Sequence, residues 1–127
     1  MYLVDTHVPL WVATDDDRLG EQARSILTSD ALRYVSAVSV VEWTIKIMRG
    51  GLVVEGGVER LIEPLGFRNL AVNAHDAIHI ADFPTLVRHD PFDRILLAQA
   101  KAASIGFLTA DRVLLGLDLP WIIDATN

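Results

Sequence analysis

DPFDRILLAQAKAASIGFLTAD, residues 90–111, decides how this chain is read. Asp90 is a strong helix N-cap, Pro91 suits the first helical position, and Asp93 falls at the third, where a carboxylate reaches back as in a capping box. An apolar run of helical length follows to Ser104, and IGFLTAD then reads as a buried strand. A helix leading into an almost wholly apolar strand is half of a crossover unit, and such strands belong to parallel sheets covered on both faces. Carboxylates bracket the unit, with Asp90 and Asp93 at one end and Asp111 at the other.

The same alternation extends outward. Strands are expected at MYLVD (1–5), ALRYVSA (31–37), NLAVN (69–73) and PWIID (120–124). Helices are expected at THVPLWVATDDD (6–17), LGEQARSILTSD (19–30), SVVEWTIKIMRGGL (39–52), GGVERLIEPLGF (56–67) and AHDAIHIADF (74–83). Gly50 and Gly51 stop the third of these helices, and Pro84 stops the last. The pattern predicts a three-layer α/β/α sandwich with a mostly parallel central sheet, in one domain over residues 1–127.

Composition narrows the function. Eleven Lys and Arg stand against seventeen Asp and Glu, a formal net charge of −6. An acidic chain does not coat nucleic acid non-specifically, so contact with a polyanion has to be local or bridged by cations. There is no Cys, which excludes thiolate metal sites and disulfides and agrees with a reducing, cytoplasmic setting. No basic segment precedes the apolar start, as a secretory signal would require, and no apolar run is long enough for a membrane span.

In an open parallel sheet the reactive crevice lies beyond the carboxyl ends of the strands. Asp5 and Asp111 both stand just past a strand, so they are expected on one edge. Asp93 opens a helix that faces that edge, and Glu42 lies near the start of another. Each acid also has an ordinary use. Asp5 or Thr6 can cap the first helix, and Asp111 can cap a short helix in DRVLLG. Glu42 can pair with Lys46 four residues on, within a polar stripe of Ser39, Glu42, Lys46 and Arg49. Together the four come from separate segments, and crowded carboxylates repel unless a cation joins them. Oxygen donors without His or Cys favour Mg²⁺ or Mn²⁺ over Zn²⁺.

LVDTHVPLWVATDDDRLG (3–20), VSAVSVVEWTIKIMRGGL (35–52) and HDPFDRILLAQAKAASIGFLTAD (89–111) resemble the PIN-domain family, and specifically the VapC-type toxins of bacterial toxin–antitoxin pairs. The likeness runs along nearly the whole chain. It implies a Mg²⁺-dependent endoribonuclease, a homodimer held inactive by a VapB-type antitoxin, with Mn²⁺ as a possible substitute. The resemblance places the acidic site on Asp5, Glu42, Asp93 and Asp111, with Thr109 as a supporting hydroxyl and Thr6 beside it. Lys46, Arg94 and Arg112 are the candidates for phosphate contact. Two departures stand out: Arg88 then His89 precede the DPFDR run where the family often has His then Arg, and Pro9 replaces an aliphatic residue in the first helix.

Other readings compete. HDAIH (75–79) mimics a zinc-protease motif, with Asp82 as the nearest third ligand. A receiver-type signalling domain also gathers acids around Mg²⁺, but it wants adjacent acids after its first strand, and Thr6 follows Asp5 here. An aspartyl phosphatase wants a second Asp two residues after the first, where this chain has His7. A PIN-fold nuclease outside a toxin–antitoxin pair, or a PIN fold used only for binding, keeps the architecture and changes the role.

Overall fold

The computed structural model describes residues 1–127. Five strands, β1 (Tyr2–Val4), β2 (Arg33–Ser36), β3 (Arg68–Leu70), β4 (Gly106–Thr109) and β5 (Ile122–Asp124), form one sheet in the order β3-β2-β1-β4-β5. Every pairing is parallel. The six α-helices are α1 (His7–Ala13), α2 (Glu21–Thr28), α3 (Ala37–Met48), α4 (Ala74–Ile78), α5 (Pro91–Ala103) and α6 (Arg112–Leu115). A receiver domain has strand order 2-1-3-4-5, so that alternative is excluded by topology.

Alternation along the central strands creates two cores, one on each face of the sheet. Leu3 and Phe107 point to one face, where they pack with Leu86, Leu96, Leu97 and Leu114. Val4 and Leu108 point to the other, with Val8, Val35, Trp43 and Phe67. Trp43 is wholly buried, and its indole N–H donates to the Thr6 carbonyl at 3.0 Å. This bond ties α3 to the segment that follows β1.

Two expected helices are broken. Residues 56–67 form two short 3-10 turns, Val58–Leu61 and Glu63–Leu65. Gly56 and Gly57 have φ of 81° and 90°, which delays the helix start, and Pro64 cannot sit in an α-helix without clashing with the carbonyl four residues back. In residues 74–83 only Ala74–Ile78 is α-helical, and the chain tightens to a 3-10 turn over His79–Asp82 as Pro84 approaches.

Sheet order reverses direction between β1 and β4, since the chain moves outward on one side through β2 and β3 and on the other through β5. A reversal of this kind opens a crevice at the carboxyl ends of the two strands. Asp5 follows β1 and Asp111 lies two residues past β4.

Candidate active site

A cleft of about 480 Å³ opens at this point, and Asp5, Glu42, Asp93 and Asp111 all line it. Thr6 and Lys46 line it too. Each acid arrives by its own local logic.

Asp5 is 2% exposed and fixed at both oxygens. Its Oδ1 accepts from the Thr6 backbone N–H at 2.7 Å, and its Oδ2 accepts from the Thr109 hydroxyl at 2.5 Å. Thr109 Oγ1 in turn accepts from the Asp111 backbone N–H at 3.0 Å, so one buried hydroxyl sets the ends of β1 and β4 against each other. The Thr6 hydroxyl does not cap α1; it hydrogen-bonds Ser39 Oγ at 2.9 Å, joining the Asp5 segment to α3.

Asp111 performs both of its expected roles. Its Oδ1 caps α6, accepting from Val113 and Leu114 at 2.8 and 3.1 Å, while Oδ2 is directed elsewhere. At α5 the work is divided. Asp90 caps the helix through the Phe92 N–H at 2.8 Å, and Asp93 makes no return bond to the backbone N–H of Asp90, so the expected capping box is absent. Asp93 instead turns its carboxylate toward His89 and Asp111.

The polar stripe on α3 is solvated only in its second half, where Lys46 and Arg49 are exposed. Ser39 is buried and Glu42 is largely enclosed, with its Oε2 held by Lys46 Nζ at 2.9 Å. Of the three basic candidates, Lys46 alone lines the cleft. Arg94 donates to the Val87 carbonyl at 3.3 Å rather than pairing with Asp90, and Arg112 is engaged by Asp124 at 3.0 Å and by the Thr126 hydroxyl at 3.0 Å.

His89 and His7 are the residues the sequence reading left out. His89 Nε2 lies 3.2 Å from Asp93 Oδ2 and 3.3 Å from Asp111 Oδ2. His7 accepts from the Ala110 N–H through Nε2 at 3.1 Å, which leaves Nδ1 to carry the proton, 3.8 Å from Asp5 Oδ2. An imidazole therefore stands beside the expected oxygen donors. The spacing of His89 to Asp93, four residues apart across the start of α5, was a usable signal.

Electrostatics reflect the crowding. Burial, and then the carboxylates of Asp5, Asp90, Asp111 and Glu42, raise the Asp93 pKa to about 7. Burial also lowers the His7 pKa, with the surrounding acids pulling the other way. A divalent cation fits a site of this kind. Nothing else in the cleft offsets several acids but Lys46, and His89 Nε2 is a buried nitrogen without a hydrogen-bond partner.

The zinc-protease imitation does not assemble. His75 and His79 meet edge to face at 5.4 Å, and His79 bonds Asp82 at 2.7 Å. Lys101 reaches Asp82 as well, at 3.0 Å, so that carboxylate is already neutralised. His89, Asp93 and Asp111 form the one group of three or more His, Asp or Glu side chains with ligand atoms within 4.8 Å of one another.

Residues 2–118 match the family model described as PIN domain, and the chain belongs to that family. The fold recurs in solved structures. One is FitAB bound to an IR36 DNA fragment, at 23% identity and TM-score 0.68, covering 100% of this chain and 96% of that one. A toxin–antitoxin complex from Klebsiella pneumoniae gives 14% and 0.66, covering 97% and 96%. VapBC2 from Rickettsia felis, bound to a fragment of its promoter DNA, gives 11% and 0.65, with the same coverage. A search of curated proteins found no match. No helix is long and apolar enough to cross a membrane.

Proposed function

We propose that this PIN domain is a divalent-metal-dependent endoribonuclease, the toxin of a VapBC-type toxin–antitoxin pair. The observation that carries the reading is the convergence of Asp5, Glu42, Asp93 and Asp111 from four segments on one cleft at the switch point of the sheet. Family membership makes a nuclease the expected enzyme, and solved VapBC and toxin–antitoxin complexes with the same fold supply the analogy for an antitoxin partner.

Asp5, Asp93 and Asp111 would hold Mg²⁺ or Mn²⁺, and Glu42 would either reach it through water or orient the attacking water. Such a cation would supply a water of lowered pKa and charge to offset that building on the phosphate. The residues supply the rest. Thr109 and the Thr6 N–H fix the Asp5 carboxylate, so no reorganisation is needed when charge develops. Lys46 stands at the rim, where a phosphate can compete with Glu42 for its ammonium. No side-chain nucleophile is needed, and Lys46 is held as an ammonium by Glu42, so water is the attacking group and the products carry 5′-phosphate and 3′-hydroxyl ends. Exposed apolar residues such as Val53, Ile78 and Val87 give a second copy or an antitoxin peptide something to cover.

The test is direct. Purified protein is incubated with RNA in the presence of Mg²⁺, Mn²⁺ or a chelator, and the new ends are mapped. Cleavage only with metal, leaving 5′-phosphates, supports the reading; cleavage unaffected by chelator, or 2′,3′-cyclic phosphate ends, defeats it.

A further inference from the structure

We propose that His89 is a direct metal ligand in this site and biases it toward Mn²⁺ over Mg²⁺. The inference rests on the metal-dependent reading above and adds a residue that the acidic set does not contain.

Geometry carries it. His89 Nε2 is within 3.3 Å of one oxygen of Asp93 and one of Asp111. Donors each about 2.1 Å from a shared ion stand roughly 3.0–3.4 Å apart for angles between octahedral and tetrahedral. Both separations from Nε2 fall in that range, and all three donor atoms lie within 4.8 Å of one another. Nε2 is sealed from solvent and makes no hydrogen bond; its neighbours are those two carboxylate oxygens. A protonated imidazole would pair with these oxygens; in the neutral ring, an Nε2 lone pair facing two carboxylates calls for a cation between them. The two oxygens are also the ones left free by local duties: Asp111 spends Oδ1 on capping α6, and Asp93 has no capping duty at all.

The chemistry then follows from the donor. Mg²⁺ is a hard ion that prefers carboxylate, carbonyl and water, whereas imidazole suits transition ions. One nitrogen among the carboxylates keeps the site open to Mg²⁺ but rewards an ion with affinity for nitrogen. Arg at position 89 would instead present a fixed positive charge to the same two oxygens and supply no lone pair.

Two measurements on the full chain decide this. Calorimetric titration gives the Mg²⁺ and Mn²⁺ affinities of the parent and of His89→Gln. Electron spin echo spectroscopy of the Mn²⁺-loaded protein, with ¹⁵N-labelled histidine, reports whether a histidine nitrogen is bonded to the ion. The expected result is histidine coupling in the parent and in His7→Gln, its loss in His89→Gln, and a fall in Mn²⁺ affinity of about tenfold or more with Mg²⁺ affinity changed far less. Mn²⁺ binding that Asp93→Asn abolishes, but without histidine coupling in the parent, overturns the role of His89 and leaves the nuclease reading standing. Coupling that persists in His89→Gln overturns it too. Failure of the parent to bind either ion at millimolar concentration removes both. Because the spectroscopic readout is made on the parent, poor folding of the variant does not rescue the proposal.

Discussion

Thr109 Oγ1 donates to Asp5 Oδ2 at 2.5 Å, joining residues 104 positions apart at the carboxyl ends of two adjacent strands. Both side chains are buried, and the same oxygen accepts from the Asp111 N–H. One hydroxyl thus sets the relative position of two of the cleft's acids.

Thr109→Val keeps the shape and removes the hydroxyl, leaving Asp5 Oδ2 and the Asp111 N–H without their partner. Unfolding in denaturant should show a loss of about 1–3 kcal/mol. RNA cleavage should fall with it, and Thr109→Ser should retain most of both. A Val variant with the parent's stability and rate would show that the hydroxyl positions nothing.

Asp93 gives a pH-dependent prediction. In the unfolded chain its carboxyl titrates near 4, and in the folded, metal-free protein it is held up to about 7 by burial and by its acidic neighbours. The folded state therefore binds this proton more tightly. Its stabilising contribution is complete below pH about 4 and is lost as the pH rises through about 7. His7, with its lowered pKa, acts in the opposite sense, so the difference between parent and variant is the quantity to follow. Asp93→Asn should melt higher than the parent at pH 8 in chelator and equal it near pH 4. An unchanged difference across that range would contradict the environment assigned to Asp93.

The same titration sets the metal response. A cation competes with protons for the carboxylates, so Mn²⁺ should raise the melting temperature more at pH 8 than at pH 5. Chelator should abolish the gain. Equal shifts at both pH values would place the ion away from Asp93.

Trp43→Phe removes the indole that fills the second core and bonds the Thr6 carbonyl. A small void and a lost buried hydrogen bond should cost about 1–3 kcal/mol, measured by denaturant unfolding. Cleavage should fall as well, since Thr6 adjoins Asp5. Parent-like stability would mean that this link between core and cleft carries little.

Much of this was legible in the sequence. Four of the five strands lie inside the apolar runs that predicted them, because a strand covered on both faces is largely apolar; β3 forms at Arg68–Leu70 instead of 69–73, since this edge strand is mostly exposed and carries no such pattern. The four acids share one cleft because strand ends in a parallel sheet share an edge. What failed to read locally failed for physical reasons. Residues 56–67 have helical apolar spacing, but Gly57 at φ 90° and Pro64 deny them the backbone of a helix. Asp93 was expected to cap α5 as well as face the cleft; with Asp90 already capping the helix, it does only the second. His89 was hidden because its partners are fixed by three-dimensional approach: one is four residues away, and Asp111 lies across the sheet edge. Arg112 reads as a free cation until Asp124, at the end of β5, is placed beside it.

The most direct test of the central claim is the single-turnover rate of RNA cleavage for Asp5→Asn and Asp93→Asn beside the parent, each at saturating Mg²⁺ and again at saturating Mn²⁺. If these carboxylates hold the ion that activates water, both variants should cut about a hundredfold more slowly or worse while remaining folded by circular dichroism. Either variant cutting at the parent's rate, with a contaminating nuclease excluded by repurification, would contradict the account.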